Sequence, residues 1–239
     1  MPFYSPRKMP DFSHIKVVCL DVDGTVCPEE GIDEVGEYCR KGDIVREITI
    51  NAMEGKMSFE ESLERQLKEV GLTRGILKTF LDHSPVKITF GIERLIASLR
   101  ANKIDIYLVS GGLFDLVIRV ARQLGIPEDH VYANRLIYDA NGMVIDFDRT
   151  QPVSHSMGKA EVVALLKSKL SPGDGVLIIG DGAIDAAACP PADAFIGFGG
   201  IYERQTVKSR AKYYFYSMDD IHKFLEDAGL IRSPCLNDL

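Results

Sequence analysis

Residues 17–25, Val-Val-Cys-Leu-Asp-Val-Asp-Gly-Thr, decide the fold. An apolar run of strand character stops at Asp21 and Asp23, one residue apart, and Gly24 follows to let the backbone turn sharply. Carboxylates belong in water, so a strand that ends on two of them implies a use for their charge. At the carboxyl end of a strand in an open α/β sheet, where ligands bind, that use is a metal with a nucleophile beside it. Side chains alternate along a strand, so Asp21 and Asp23 point the same way and one cation can sit against both. For this stretch alone, a strand-to-turn junction with solvated carboxylates is the bland alternative.

Three further fragments suit phosphoryl transfer and follow in a sensible order. Ile104 to Val109 is a second apolar run, ending in Ser110-Gly111-Gly112, where a hydroxyl and unhindered backbone N–H groups can hold phosphate oxygens. Lys159 follows Gly158 and opens an amphipathic stretch with Val162, Val163, Leu165 and Leu166, so its ammonium can reach over the sheet edge as a point charge for phosphate. Val176 to Ile179 is a third run, ending in Gly180-Asp181-Gly182-Ala183-Ile184-Asp185, which supplies more carboxylates for a hard cation. Each fragment alone reads as an ordinary turn or a solvated helix start. Together, four fragments in this order make coincidence a poor explanation.

The rest of the chain fits a soluble enzyme. Its 239 residues can bury a substantial core, as one large domain or one domain with an insert. With 28 Lys and Arg against 35 Asp and Glu the net charge is -7, which speaks against nucleic acid or an anionic membrane as partner. Phosphate must then be attracted locally. The five cysteines, 19, 27, 39, 189 and 235, form no C-x-x-C pair, so reduced thiols and a cytoplasmic setting are expected, with Cys27 read as packing. The five histidines, 14, 83, 130, 155 and 222, lack metal-ligand spacing. Met1 to Ser13 holds three prolines, an arginine and a lysine and no apolar run of signal-peptide length, and no stretch approaches the ~20 apolar residues of a membrane span. Oligomeric state is left open, a homodimer among the options.

Organisation follows from changes of period. Residues 33–85 show helical patterns, including Phe59, Leu63, Leu67 and Val70, and no second strand-like run, which reads as a helical insert. A helix over 91–102 and one carrying Leu113, Val117, Val120, Ala121 and Leu124 flank the second strand. Strand and helix then alternate through Val176 and Phe195 to Tyr213-Tyr214-Phe215-Tyr216, which predicts an α/β fold with a doubly wound, mostly parallel sheet. Asn141-Gly142 predicts a β-hairpin near 135–149. The expected division is a catalytic α/β core over 14–32 and 86–231 and a helical cap over 33–85, with a loose polar tail after Ile231.

These motifs resemble the haloacid dehalogenase superfamily of phosphatases: Asp21 to Thr25 match its first motif, Ser110 the second, Lys159 the third, and Gly180-Asp181 with Asp185 the fourth. The resemblance narrows to the phosphoserine phosphatase family of the eukaryotic type. It rests on Glu29 to Glu34, Ala52-Met53-Glu54-Gly55 and the block Ala188 to Gly200, and runs from about His14 to Leu225. The resemblance implies a Rossmann-like core and two-step hydrolysis of a small phosphomonoester, O-phospho-L-serine, through an aspartyl phosphate on Asp21. Asp23 would serve as general acid and base, with Thr25 and Asp185 in support. Mg²⁺ would be held by the Asp21 carboxylate, the Asp23 backbone carbonyl and Asp181; Ser110, Gly111, Gly112 and Lys159 would meet the phosphate. Glu30 would take the substrate ammonium, with Met53, Gly55 and Phe59 packed around it.

The chain departs from the family's pattern at two positions. Gln66 stands where the family has an arginine for the serine carboxylate, which removes a bidentate charged clamp. Arg65 is adjacent, but one residue along a helix turns a side chain by ~100°, onto another face. Ile184 stands where the family usually has a polar threonine or asparagine. Three other readings therefore remain: a phosphatase for phosphothreonine, phosphoethanolamine or a vitamin phosphate, a phosphotransferase using the same Asp21 intermediate, and a non-catalytic binding protein on this fold.

Overall fold

The computed structural model describes residues 9–53 and 55–232; Glu54, Cys235 and the tail beyond residue 232 lie outside the described residues. In chain order the elements are β1 (Ile15–Leu20), α1 (Gly31–Tyr38), α2 (Gly42–Met53), α3 (Phe59–Val70), α4 (Arg74–His83), α5 (Ile92–Ala101), β2 (Asp105–Leu113), α6 (Phe114–Gln123), β3 (Val131–Asn134), β4 (Leu136–Tyr138) and β5 (Val144–Phe147). They continue with α7 (Gly158–Ser168), β6 (Gly175–Gly180), α8 (Ala183–Ala187), β7 (Ala194–Phe198), α9 (Gln205–Arg210), β8 (Tyr213–Phe215) and α10 (Met218–Asp227).

Six strands form one sheet in the order β3-β2-β1-β6-β7-β8, and every pairing in it is parallel. Such a sheet buries both faces, which is why its strands read as unbroken apolar runs. Alternation sorts them: Val18, Leu20, Ile106, Leu108, Leu177 and Ile179 join one core with α5, α6 and α10. Val17, Cys19, Val109, Val176 and Ile178 face the other way, onto α7 and α9. The chain winds outward from β1 through β2 and β3, then returns to β6 on the other side of β1. Strand order reverses between β1 and β6, and a crevice opens there beyond their carboxyl ends.

Helices α1 to α4 form a layer of their own between β1 and α5, around Val35, Val45, Leu63, Leu67, Leu72 and Phe80. Capping sets their limits: the Ser58 hydroxyl accepts from Glu61 N–H at 3.1 Å, and Thr73 does the same for Ile76 at 3.1 Å. The hairpin of β4 and β5, grouped by sequence with the α/β core, packs its inner face on this helical layer. Phe147 is fully buried among its side chains, and Val144 N–H donates to the Leu72 carbonyl at 2.9 Å. The Asn141-Gly142 turn is closed by Asp139, whose carboxylate accepts from the N–H groups of Asn141 and Met143, with Gly142 at φ 80°. Among the described residues no helix is long and apolar enough to cross a membrane.

Phe147 thus clamps the hairpin to the helices. Phe147→Ala should lower stability by ~3–5 kcal/mol, the usual range for emptying a buried aromatic site. Thermal melting should report it as a fall of several degrees; an unchanged midpoint would mean that the hairpin is held elsewhere.

Candidate active site

The end of β1 delivers Asp21 to the crevice, and the backbone then folds back on itself. Val26 N–H donates to the Asp21 carbonyl at 3.3 Å and Cys27 N–H to the Val22 carbonyl at 2.8 Å. Gly24 sits at φ 71°, in the left-handed region, and a Cβ there would lie 2.7 Å from Asp181 Oδ2. Only glycine lets this turn pass so close to the β6 carboxylate.

Lys159, from the first turn of α7, reaches between two carboxylates. Its Nζ lies 2.6 Å from Asp21 Oδ1 and 2.7 Å from Asp185 Oδ1, with all three residues buried. Burial alone would pull the ammonium pKa down, but the charges of Asp185 and Asp21 outweigh it and hold the group protonated. Asp185 spends its other oxygen on the Gly182 N–H at 3.0 Å. Asp21, Asp181 and Asp185 bring one carboxylate oxygen each within 4.8 Å of one another, an all-oxygen donor set suited to a hard divalent cation.

Asp23 faces the crevice on its own terms. Its Oδ1 accepts the Gly31 N–H at 2.8 Å and its Oδ2 the Ser110 hydroxyl at 3.2 Å, so its carboxylate stays out of the three-carboxylate cluster. Burial raises its pKa to about 6; the Gly31 hydrogen bond opposes this, and the negative charge of Asp21 adds to it. Burial also raises Asp181 to about 6, with Asp21 adding and Arg204 opposing. Glu30 is pushed well up by burial and by the charges of Asp23 and Asp181. A surplus of negative charge runs through the site.

A cavity of about 380 Å³ lies between this crevice and the helical layer. Asp21, Asp23, Glu30, Met53, Phe59 and Gln66 line it, as do Gly111, Gly112, Lys159, Asp181, Ile184 and Asp185. Ser110 stands just behind the wall, fully buried, its hydroxyl also accepting the Gly112 N–H at 2.8 Å. Thr25 is likewise buried, 3.4 Å from Asp181 Oδ1. Gly55 differs from expectation: at φ 75° and exposed, it stands in the turn between α2 and α3, outside the lining that Met53 and Met57 join on either side of it. Gln66 is buried and donates to the Thr49 hydroxyl at 2.8 Å, which in turn donates to Asp33 at 2.7 Å. Arg65 pairs with Glu61 on the exposed face of α3, as helical geometry requires.

Sequence reading missed Arg204. This residue precedes α9, and its guanidinium lies 2.8 Å from Asp181 Oδ2 and 3.4 Å from Glu30, and touches Met53 Sδ. With Lys159 it is one of two cationic side chains among the described residues that line the cavity. Its one sequence signal is position: it follows Gly199-Gly200 at the end of β7, a strand-end loop of the kind that carries ligand contacts in parallel sheets.

Comparison with known proteins agrees with this geometry. A family model for haloacid dehalogenase-like hydrolases matches residues 15–193. The phosphoserine phosphatase of Homo sapiens is 42% identical over 216 residues, covering 90% of this chain and 96% of the relative. That of Drosophila melanogaster is 40% identical over 222 residues, covering 91% of this chain and 82% of the relative. Among solved structures, a phospho-aspartyl intermediate analogue of phosphoserine phosphatase superposes with a TM-score of 0.76 at 26% identity, over 88% of this chain and 98% of that one.

The three-carboxylate cluster makes a direct prediction about metal. Mg²⁺ should raise the melting temperature of the protein, and Asp181→Asn should abolish that increment, since it removes a charged oxygen donor from a buried site. An equal increment in both proteins would move the cation elsewhere.

Proposed function

The chain belongs to the haloacid dehalogenase-like hydrolases and, within them, to the phosphoserine phosphatase family, and from that premise we propose that this phosphoric monoester hydrolase cleaves O-phospho-L-serine to L-serine and phosphate. The observation that carries the reading is the Asp21 carboxylate held 2.6 Å from a buried ammonium in the cavity beneath the helical layer, with Asp23 beside it. Lys159 fixes the Asp21 side chain and leaves an oxygen to attack phosphorus. The bond from phosphorus to the serine oxygen breaks as the aspartyl phosphate forms, splitting one difficult displacement into two. Asp23, with its pKa near 6, gives its proton to the departing serine oxygen. It then accepts a proton from the water that attacks the aspartyl phosphate, which restores Asp21 and releases phosphate.

Asp21, Asp181 and the backbone carbonyl of Asp23 would hold Mg²⁺, which supplies positive charge for the phosphoryl oxygens when bound. The negative surplus of five acids, Asp21, Asp23, Glu30, Asp181 and Asp185, over Lys159 and Arg204 favours such a cation. Gly111, Gly112 and Lys159 serve the phosphoryl group from the protein side, where charge spreads in the transition state. The helices over it restrict the access of bulk water to the aspartyl phosphate. Glu30 suits the substrate ammonium. Arg204, beside Glu30, supplies the positive charge for the carboxylate that Gln66 lacks. A second reading has its own support: the Gln66 amide is committed to Thr49, so a phosphomonoester without a carboxylate, such as phosphoethanolamine, also suits the cavity.

Phosphate release from a panel of phosphomonoesters with Mg²⁺ tests the substrate. Asp21→Asn should abolish release with the fold intact, because an amide cannot form the acyl phosphate. Asp23→Asn should slow it by ~10² to 10⁴, the range for lost acid-base catalysis. Substantial turnover by the Asp21 variant would rule out the covalent route.

The carboxylate question has a separate test. Gln66→Arg should raise kcat/KM for phosphoserine by roughly ten- to a hundredfold while changing little for phosphoethanolamine, which keeps the phosphate and ammonium. Equal effects on both would mean that position 66 does not face the carboxylate.

A further inference from the structure

The ladder between β2 and β3 opens where the phosphate-facing loop begins. Leu108 pairs with Val131 and Val109 with Tyr132, but the next pair is Leu113 with Asn134. Ser110, Gly111 and Gly112 therefore stand opposite a single residue, Ala133, as a bulge without its own place in that ladder. A bulge in an edge pairing is a local loss of backbone restraint. Asn134 supplies a restraint of its own. Its side chain is fully buried and its amide donates to the Gly111 carbonyl at 2.8 Å and to the Val153 carbonyl at 3.2 Å.

Both contacts lead to groups that face the cavity. The Gly111 carbonyl belongs to the same peptide as the Gly112 N–H, which donates to Ser110 Oγ at 2.8 Å. That peptide plane is thus held at both of its polar ends. From above, Phe59 of the helical layer presses on Gly111, where a Cβ would come within 2.8 Å of the ring. Val153 lies in the turn Pro152–Ser154, packed so tightly on the start of α7 that a Cβ on Gly158 would sit 2.0 Å from the Pro152 carbonyl. Lys159 is the next residue. One amide group therefore spans from the β2 bulge to the helix start that carries the ammonium.

Nothing in the packing explains an asparagine here. Its Oδ1 is buried with no hydrogen-bond partner, an arrangement that burdens stability and that an apolar residue would avoid. What the asparagine brings that an apolar residue lacks is its two donors to the Gly111 and Val153 carbonyls.

We propose that Asn134 is a positioning residue for phosphoryl transfer: its buried amide locks the Ser110–Gly112 bulge and the start of the Lys159 helix into one register, so that both sides of the phosphoryl site hold their spacing. It touches neither substrate nor Asp21. Its effect is on geometry, and misplacement by about 1 Å is enough to slow a reaction by ~10². The proposal rests on the phosphoryl-transfer reading of the site and not on phosphoserine as the substrate.

The test compares Asn134→Asp, which keeps shape but turns oxygens toward two carbonyls, with Asn134→Ser, which keeps one donor. Ile221→Ala, on the buried face of α10, serves as a destabilised control. For phosphoserine and p-nitrophenyl phosphate alike, Asn134→Asp should lower kcat by about ten- to a hundredfold with KM changed less than about threefold, and Asn134→Ser should fall between it and the wild type. Orthovanadate, which occupies a phosphoryl site, should stabilise both Asn134 variants against melting less than it does the wild type, while protection by L-serine stays the same. Should Asn134→Asp not fold, the Ser variant carries the comparison alone. Wild-type kcat and vanadate protection in the variants would overturn the proposal, as would a kcat loss matched by Ile221→Ala at an equal drop in melting temperature. Failure of the wild type on phosphoserine, with the p-nitrophenyl phosphate and vanadate results as expected, would overturn the substrate reading and leave Asn134 in its role.

Discussion

The ion pairs of Lys159 with Asp21 and Asp185 are the constraint around which the rest of the structure is arranged. An ammonium this deep in a protein is tolerated only with close counter-charges, and two carboxylates this close are tolerated only with a cation between them. Each strand of the central part of the sheet contributes to that balance: β1 ends on Asp21, β6 on Asp181, and the short helix after β6 returns Asp185 beneath both. The parallel arrangement matters because it brings these strand ends to one edge. An antiparallel neighbour would have sent its carboxyl end to the far side of the sheet.

The balance is not complete. Five acids meet two cations at the cavity; burial is the main cause of the upward pKa shifts of Asp23, Glu30, Asp181 and Asp185, and repulsion among the acids adds to it. A protein without a use for that deficit would be more stable with an amide or an apolar side chain in place of one acid. The same surplus that burdens the folded chain makes a dication welcome, while burial, with the charge of Asp21 adding to it, keeps Asp23 close to the pH at which a carboxyl can both give and take a proton.

How much of this was legible in the sequence follows from where the signals lay. The strands were readable because each is an apolar run buried on both faces and ended by a charge or a glycine, and the chemistry was readable because it sits on those ends. Gln66 and Arg65 sorted onto different faces of α3, one buried and one exposed, because helical periodicity fixes direction. Arg204 was hidden: it lies in a polar stretch without periodicity, and its reach to Asp181 depends on how the segment after β7 returns across the sheet edge. Asn134 was hidden for a related reason, since its value arises from a register shift between β2 and β3 that no local pattern announces. The hairpin declared its turn but not its neighbour, because the same alternating residues can pack on a sheet or on helices.

The departure at Gln66 makes sense as an electrostatic adjustment. An arginine at position 66 would sit beside Thr49 and, through it, Asp33, whose carboxyl burial already pushes upward. With Gln66 the same place is filled by a neutral relay of hydrogen bonds from amide to hydroxyl to carboxylate. The positive charge on that side of the cavity then comes from Arg204, which is tied to Asp181 and Glu30 rather than to the helical layer. A dication at Asp181 would share with Arg204 the same carboxylate. On the proposed reading, the charge that would meet the substrate carboxylate and the charge that would bind the metal are linked through one residue, Asp181.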